Sequence, residues 1–412
     1  MSFFKESTQA KNWIKTSTEL EEASKHKVKT IIKRIKEINE KIKKAIEGNA
    51  NNQQAPIENS INNQDPNANP QKNNEVEKSL IKYNKLITPK EENLLVIYFT
   101  NQIMKIINSN IKSLSLKTYA LSYFRRFYLK KAIVDYDPEY MLCAAIFLGG
   151  KVAQLNINFN KMGELIPFLN EEVQNSKKSN KKLLLGYEFY LCIILNYEFY
   201  VFCPYKAMLG FIYELDSKHF FDSLKTKEQF QKECEATIDQ TFLSDLIFTY
   251  NYSYIALASI FIVGVSFNFD NDKIINTLEL KQLIDIKKFL NEYLVDIKNN
   301  LEQIKIIEKN EFLEYTKKVI IFNKKYPQYA EKLEEERNIL LKKMESFEKA
   351  FEGRIYLSNG TEINNNYKIN DNNEMQRINY EQQLLNNKRE RNEVQNDNNN
   401  NNNNNVNKMI ID

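Results

Sequence analysis

Along this chain apolar residues recur every three or four positions over long runs, the spacing of helices, and no strict alternation persists long enough to mark a strand. Two segments depart even from that pattern, being apolar around their whole circumference. Residues 140–150 read Tyr-Met-Leu-Cys-Ala-Ala-Ile-Phe-Leu-Gly-Gly, and residues 254–264 read Tyr-Ile-Ala-Leu-Ala-Ser-Ile-Phe-Ile-Val-Gly. Tyr140, Ala144, Ile146, Phe147 and Gly150 recur as Tyr254, Ala258, Ile260, Phe261 and Gly264, a constant offset of 114. A helix with no wet face must be wrapped by others. The pattern therefore predicts a tandem pair of helical bundles, each built round one buried helix.

The remaining signals fill in both halves. Thr88-Pro89-Lys90-Glu91 is a cap with proline at the first helical position, opening an amphipathic helix through Ile107. A second helix spans 114–129, Asp137-Pro138 opens the buried third, a short fourth covers 159–169, a polar loop occupies 174–180, and a fifth helix spans 181–196. Pro204 then begins the next set, at 204–216, 226–247, 253–267 and 279–303, with a short turn of helix at 271–276. Beyond these lies a Lys/Glu-rich helix broken at Pro327, whose last part carries the stripe Leu333, Leu340, Met344, Phe347 and Phe351, fit to dock on the body or on a partner. Near the start, Val28, Ile31, Ile35, Ile38, Ile42 and Ala45 form a narrow seam on a helix with nine Lys/Arg against three Glu over 25–47. That reads as a docking helix with a solvated charged face; a partner helix, or a basic surface for membrane or nucleic acid, are the alternatives.

Composition trims the domain map. Asn-rich stretches at 48–79 and 353–412 are too polar to bury a core and predict solvated disorder. The organisation is then an N-terminal helical extension (1–47), the insert (48–79), a first five-helix repeat (80–200), a second (201–303), C-terminal helices (304–352) and the tail (353–412). A net charge of +4 is too close to neutral to imply affinity for nucleic acid or anionic lipid. The charge-free run 246–269 could cross a bilayer by length, but Thr249, Asn251, Ser253 and Asn268 dilute it, so a core helix is the expectation. No apolar run with a cleavage site follows the start, so no secretory signal is expected, and Cys143, Cys192, Cys203 and Cys234, without a CxxC pair, read as reduced thiols.

Chemistry is scarce. His26 and His219 are the only histidines and neither has metal-ligand spacing; the nine glycines form neither a GxGxxG nor a GxxxxGK[ST] loop. Neither a cofactor nor a metal is implied, and the carboxylates read as solvated helix faces. The sequence points to a non-enzyme.

Three segments then carry a family resemblance. Tyr123-Phe124-Arg125-Arg126-Phe127-Tyr128-Leu129 on the second helix, Phe147-Leu148-Gly149-Gly150-Lys151-Val152 ending the third, and Glu188-Phe189-Tyr190-Leu191 in the fifth resemble a cyclin box. With Leu243-Ser244-Asp245, Tyr250 and Ile255-Ala256-Leu257-Ala258 of the second half, the resemblance covers about residues 86–303 and narrows to the transcriptional cyclins. Phe99-Thr100-Asn101 and Glu188-Phe189-Tyr190-Leu191 favour the C type. Gly210-Phe211-Ile212-Tyr213-Glu214-Leu215, Asn156-Ile157-Asn158, the long C-terminal helices and Ser7-Thr8-Gln9 followed by Trp13 favour the H type, which is preferred.

The resemblance implies an all-α fold of two tandem five-helix cyclin repeats with extra N- and C-terminal helices, and a regulatory subunit of a cyclin-dependent kinase. For the H type this is the CDK-activating kinase, associated with TFIIH and an assembly subunit, acting on kinase activation loops and on the C-terminal repeats of RNA polymerase II in the nucleus. No direct nucleic-acid or membrane partner is implied. Lys151 and Glu188 match the family's lysine and glutamate that hydrogen-bond kinase main chain beside its αC helix. Phe147, Leu148 and Tyr190 are candidates for the apolar part of that interface, and Arg125, Arg126 and Trp13 for further partner contacts. The chain departs from the family at Ala153 and Gln154, where acidic residues are usual, at Gly149-Gly150, and in lacking the Met-Arg-Ala-Ile-Leu patch of cell-cycle cyclins. A cyclin C-like Mediator subunit is the alternative. A TFIIB-type factor, which also has two such repeats, would call for a zinc ribbon, and no cysteine precedes Cys143.

Overall fold

A computed structural model of the chain describes residues 2–51, 80–82, 86–157, 184–339 and 342. The expected fourth helix at 159–169, the loop at 174–180, residues 52–79 of the insert, the tail, and Leu340, Met344, Phe347 and Phe351 lie outside them. The described residues contain helices and no strand. In chain order these are α1 (Ser17–Asn51), α2 (Pro89–Asn110), α3 (Leu114–Lys130), α4 (Pro138–Val152), α5 (184–194), α6 (Pro204–Ser217), α7 (Leu224–Thr241), α8 (Tyr252–Ser266), α9 (Asn271–Thr277), α10 (Leu294–Glu302), α11 (Lys309–Lys325) and α12 (327–339). Before α1, Ser2–Glu6 and a π-helical turn at Gln9–Trp13 form a short lead.

The duplication extends to the caps. The bounds of α8 are those of α4 displaced by 114, and Asp137 and Asn251, at the same offset, both cap with a side-chain oxygen. At the far ends Gln154 (φ 58°) and Asn268 (φ 53°) both turn left-handed, and the next amides, of Leu155 and Phe269, donate to the carbonyls of Gly150 and Gly264 at 2.9 Å. Each is the left-handed C-cap that satisfies helix-end carbonyls. Helix α4 packs on α2 and α3, and α8 on α6 and α7. Met141 to Ile146 and Ile255 to Phe261 are buried throughout. Gly149 and Gly150 do more than weaken a helix end. A Cβ on Gly149 would lie 3.1 Å from the backbone nitrogen of Ala120, and one on Gly150 2.8 Å from Ile157 Cδ1, so the pair lets α3 and the following loop come close.

His219 (φ 53°) closes α6 in the same left-handed way and is exposed. A non-glycine side chain there costs roughly 1–2 kcal/mol, while glycine loosens the unfolded chain by less. His219→Gly is thus expected to raise the denaturation midpoint by the equivalent of about 0.5–1 kcal/mol, and Asn268→Gly by less because asparagine tolerates this conformation. Urea titration of the two variants checks the order.

Two expectations need correcting. The helix expected over 226–247 ends at Thr241, where a turn leads to the short helix Leu246–Thr249; Tyr250 and Asn251 then separate it from α8, so the charge-free run is broken in two. No helix of the described residues is long and apolar enough to cross a membrane. The single helix expected over 279–303 is three pieces and a π-helical turn, because Glu279 is left-handed (φ 52°), Ile284 is extended and Asp285 caps a new start. At Pro327 the break falls at Tyr326, as steric conflict with a following proline requires.

Buried ion pairs join the parts. Between the repeats, Lys117 of α3 meets Asp239 of α7 at 2.7 Å, and Tyr205 of α6 donates to the same carboxylate at 2.6 Å. The seam of α1 docks on the body: Ile31, Ile35 and Ile38 are buried, and Ile42 and Ala45 lie outside that contact. Between them Arg34 donates to both oxygens of Asp135 at 3.0 and 3.1 Å, to the Tyr329 hydroxyl, and to Glu336 of α12. Leu333 of α12 is buried as well.

Candidate functional site

Lys151 sits in the last turn of α4, where the negative end of the helix dipole favours a cation. Glu188 lies on α5, so the two come from separate helices, and Lys151 Nζ stands 2.6 Å from Glu188 Oε1. The pair is asymmetric. The lysine side chain is 50 % exposed and the glutamate 11 %, so the carboxylate is held by the body and the amine faces outward. Lys151 Nζ also lies 4.3 Å from the centroid of the Phe147 ring, a cation–π contact one helical turn back.

The apolar candidates separate by burial. Phe147 is half-buried and reachable, whereas Leu148 and Tyr190 are buried in the chain and support the surface from beneath. Between the start of α4 and α5 the tyrosines Tyr136, Tyr187 and Tyr190 meet edge to face, and Tyr140 stacks on Tyr187 at 5.4 Å. Burial pushes the Tyr187 and Tyr136 hydroxyls up to about 12, and the Cys192 thiol, one turn past Glu188, likewise up to about 12. These groups stay protonated at neutral pH and offer no nucleophile. Tyr140 and Tyr190 lie within segments recognised in the sequence, whereas Tyr136 and Tyr187, which flank those segments, were missed.

Arg125, Arg126 and Trp13, named as possible partner contacts, make contacts within the chain. All are buried, the arginines because Phe248 and Trp13 pack over that side of α3. Arg125 Nη2 donates to Asp245 Oδ1 at 2.7 Å and to the Ser244 carbonyl, tying α3 to the second half. Arg126 stacks on Trp13 at 4.6 Å, with Lys130 at 4.2 Å, and Trp13 Nε1 donates to Glu198 Oε2 at 2.7 Å. Burial lowers the proton affinity of both arginines. Trp13 therefore fastens the lead to the link between the repeats. Phe4 adds edge-on contacts with Phe202 and Tyr252, and Gln9 Oε1 accepts from the Phe202 amide.

Among the described residues no group of three or more His, Cys, Asp or Glu is arranged to hold a metal ion. What the arrangement offers is recognition: an outward ammonium with three donors beside a held carboxylate acceptor, on a rigid aromatic base.

No protein-family model matches the chain. It is 25 % identical over 241 residues to the cyclin mcs2 of Schizosaccharomyces pombe, covering 57 % of this chain and 67 % of that protein. To the cyclin-H of Xenopus laevis it is 26 % identical over 178 residues, 42 % of this chain and 53 % of the relative. The chain thus spans between about half and two thirds of the length of these relatives. One chain of the solved yeast TFIIK (Kin28/Ccl1/Tfb3) complex overlaps it at a TM-score of 0.48 with 19 % identity, covering 72 % of this chain and 99 % of that one. By sequence the chain is similar to the transcriptional cyclins, and most like cyclin H.

Proposed function

We propose that this chain is a cyclin H-like regulatory subunit that binds and activates a cyclin-dependent kinase of the CDK-activating type. The observation that carries the reading is the Lys151–Glu188 pair, brought to 2.6 Å from two helices at the place where the cyclin box has its kinase-binding lysine and glutamate. The two repeats occupy residues 80–200 and 201–303, and the terminal helices brace them. The chain performs no chemistry itself. It binds better to the kinase conformer whose αC helix is swung in, and that difference in affinity shifts the kinase toward its active state. An assembly subunit and TFIIH are the further partners, and the nucleus is the compartment that goes with them.

Ala153 and Gln154, just past Lys151, carry no charge where acidic residues are usual, which calls either for a kinase surface changed to match or for a looser interface. Kinase activity measured with and without the full chain, on an activation-loop peptide and on a polymerase C-terminal repeat peptide, tests the reading. A kinase resting mostly inactive gains up to roughly hundredfold. No gain with any kinase captured from the native cell removes the proposal. Capture of TFIIH subunits supports the H type, and capture of Mediator subunits transfers the reading to the C type.

A further inference from the structure

A second surface lies on α11, the Lys/Glu-rich helix beyond the repeats. Its inner side is fixed to the body: Phe312 stacks on Tyr98 of α2 with ring centroids 4.1 Å apart, Phe322 is buried, and Lys318 Nζ stands 2.7 Å from Glu91 Oε1. At about 100° per residue, that orientation turns Lys309, Leu313, Lys317, Ile320 and Lys324 outward in one row, with Ile321 beside it. All of these are exposed, and none belongs to the Lys151–Glu188 site.

The row differs from an ordinary solvated face. Leu313, Ile320 and Ile321 are 42, 46 and 61 % exposed, a joined aliphatic strip on a helix that already has a core face. Lys309, Lys317 and Lys324 make no ion pair among the described residues. The carboxylates of α11 lie outside the row and are taken: Glu311, on the body side, holds Lys305 at 2.8 Å, and Glu314, at the edge, holds Lys318 at 3.1 Å. What is left unmatched is thus ammonium and aliphatic surface, with no carboxylate in it. The spacing is also particular. Leu313 and Ile320 are one heptad apart, and Lys317 and Lys324 each follow them by four residues. In paired helices that is the relation of an apolar seam position to the charged position flanking it, which sets the choice of partner.

We propose that this ridge pairs with an amphipathic helix of a partner protein, whose aliphatic seam lies along Leu313 and Ile320 and whose flanking carboxylates meet Lys317 and Lys324. Charge complementarity selects the acidic flank, since every charge in the row is positive and unpaired. The aliphatic residues select a protein helix over other polyanions. A nucleic-acid strand uses ammoniums alone and leaves Leu313, Ile320 and Ile321 in water. A lipid surface takes helices whose lysines are segregated from the apolar face, whereas here Lys317 and Lys324 stand among the aliphatic side chains. The ridge runs about 22 Å from Lys309 to Lys324, room for about four turns of a second helix. Because α11 is already braced by the body, docking on it orders little further.

The probe is a fluorescent peptide of three Glu-Ile-Ala-Ala-Leu-Glu-Gln heptads, compared by anisotropy with its counterpart carrying lysine at every glutamate. With the full chain at low salt the glutamate peptide is expected to bind saturably, one to one, and the lysine peptide at least about tenfold more weakly. Lys317→Glu with Lys324→Glu should invert that order. Leu313→Ser with Ile320→Ser should weaken the glutamate peptide about tenfold. All four positions are exposed, so the variants keep the circular dichroism of the wild type. Lys33→Glu, on the exposed face of α1, leaves binding unchanged. Equal binding of the two peptides, no inversion in the charge-reversed variant, or an equal loss with Lys33→Glu overturns the proposal. So does tighter binding of a single-stranded thymidine oligonucleotide or of phosphatidylserine vesicles than of the glutamate peptide.

Discussion

Replacing Asp135 by alanine is expected to cost about 3–5 kcal/mol of folding stability, because it strands a buried arginine. Asp135 lies in the loop between α3 and α4, 6 % exposed. Its carboxylate accepts from Arg34 of α1 and from the hydroxyl of Tyr329 of α12, and its carbonyl accepts from Arg337. One residue thus joins α1 and α12 to the start of the buried helix of the first repeat. Arg34 keeps Glu336, but that carboxylate is 43 % exposed and neutralises a buried charge poorly. Guanidinium denaturation of Asp135→Ala should show the loss, and limited proteolysis should show α1 and α12 released together. The triple variant Arg34→Met, Asp135→Leu, Tyr329→Phe removes every member of the group and should recover most of the stability, since apolar replacement of a buried ion pair is often neutral. Recovery by the triple variant is what distinguishes a stranded charge from a damaged loop; its failure would assign the loss to the loop.

The parts of the fold that were legible in the sequence are those where one local signal suffices. Helices α4 and α8 are apolar on all sides, and a buried helix is the one solution for such a segment. Thr88-Pro89, Asp137-Pro138 and Pro204 fixed helix starts to the residue because proline at the first position costs no donor. What stayed illegible depends on partners far along the chain. The Tyr123-to-Leu129 segment shows the difference. Its arginines were candidates for partner contacts, yet they are buried along with Tyr123, Phe124, Phe127 and Tyr128. The rings at those positions cover only about 140° of the helix's circumference, and the arginines lie on the other side, where the groups that receive them, Asp245 and Glu198, are 120 and 72 residues further on. The breaks in 279–303 were hidden for another reason. Glu279 is left-handed without being glycine, and nothing local marks it.

At the candidate site the sequence named both members of the pair and their likeness to the cyclin box. It did not give their asymmetry: Glu188 is 11 % exposed while Lys151, projecting from a helix end, is 50 % exposed. Nor did it explain Gly149-Gly150. Read alone, two glycines loosen a helix terminus; in the structure they bring the end of α4 against α3 and Ile157, which fixes where Lys151 emerges. The departure from the family pattern at these two glycines is thus a condition for the geometry of the site.

Truncating Lys151 or Glu188 to alanine is expected to weaken the complex with the cognate kinase by about 2–4 kcal/mol, near thirtyfold to a thousandfold in Kd. Each truncation removes a group offered to the partner and leaves the other unpaired, so the double variant should lose less than the sum of the single losses. The two single variants should differ before the kinase is added. Lys151→Ala leaves an 11 % exposed carboxylate beside Cys192, and should lower stability more than Glu188→Ala, whose lysine can turn to solvent. A charge swap separates recognition from structure. Lys151→Glu with Glu188→Lys keeps an ion pair between the helices and should keep the fold, but it puts an acceptor where the kinase is offered donors. Calorimetric titration of the swapped chain with the kinase should therefore show binding as poor as that of the alanine variants. Wild-type affinity in the swap would mean that the pair only holds α4 to α5, and the kinase-binding role assigned to it would have to move elsewhere on the surface.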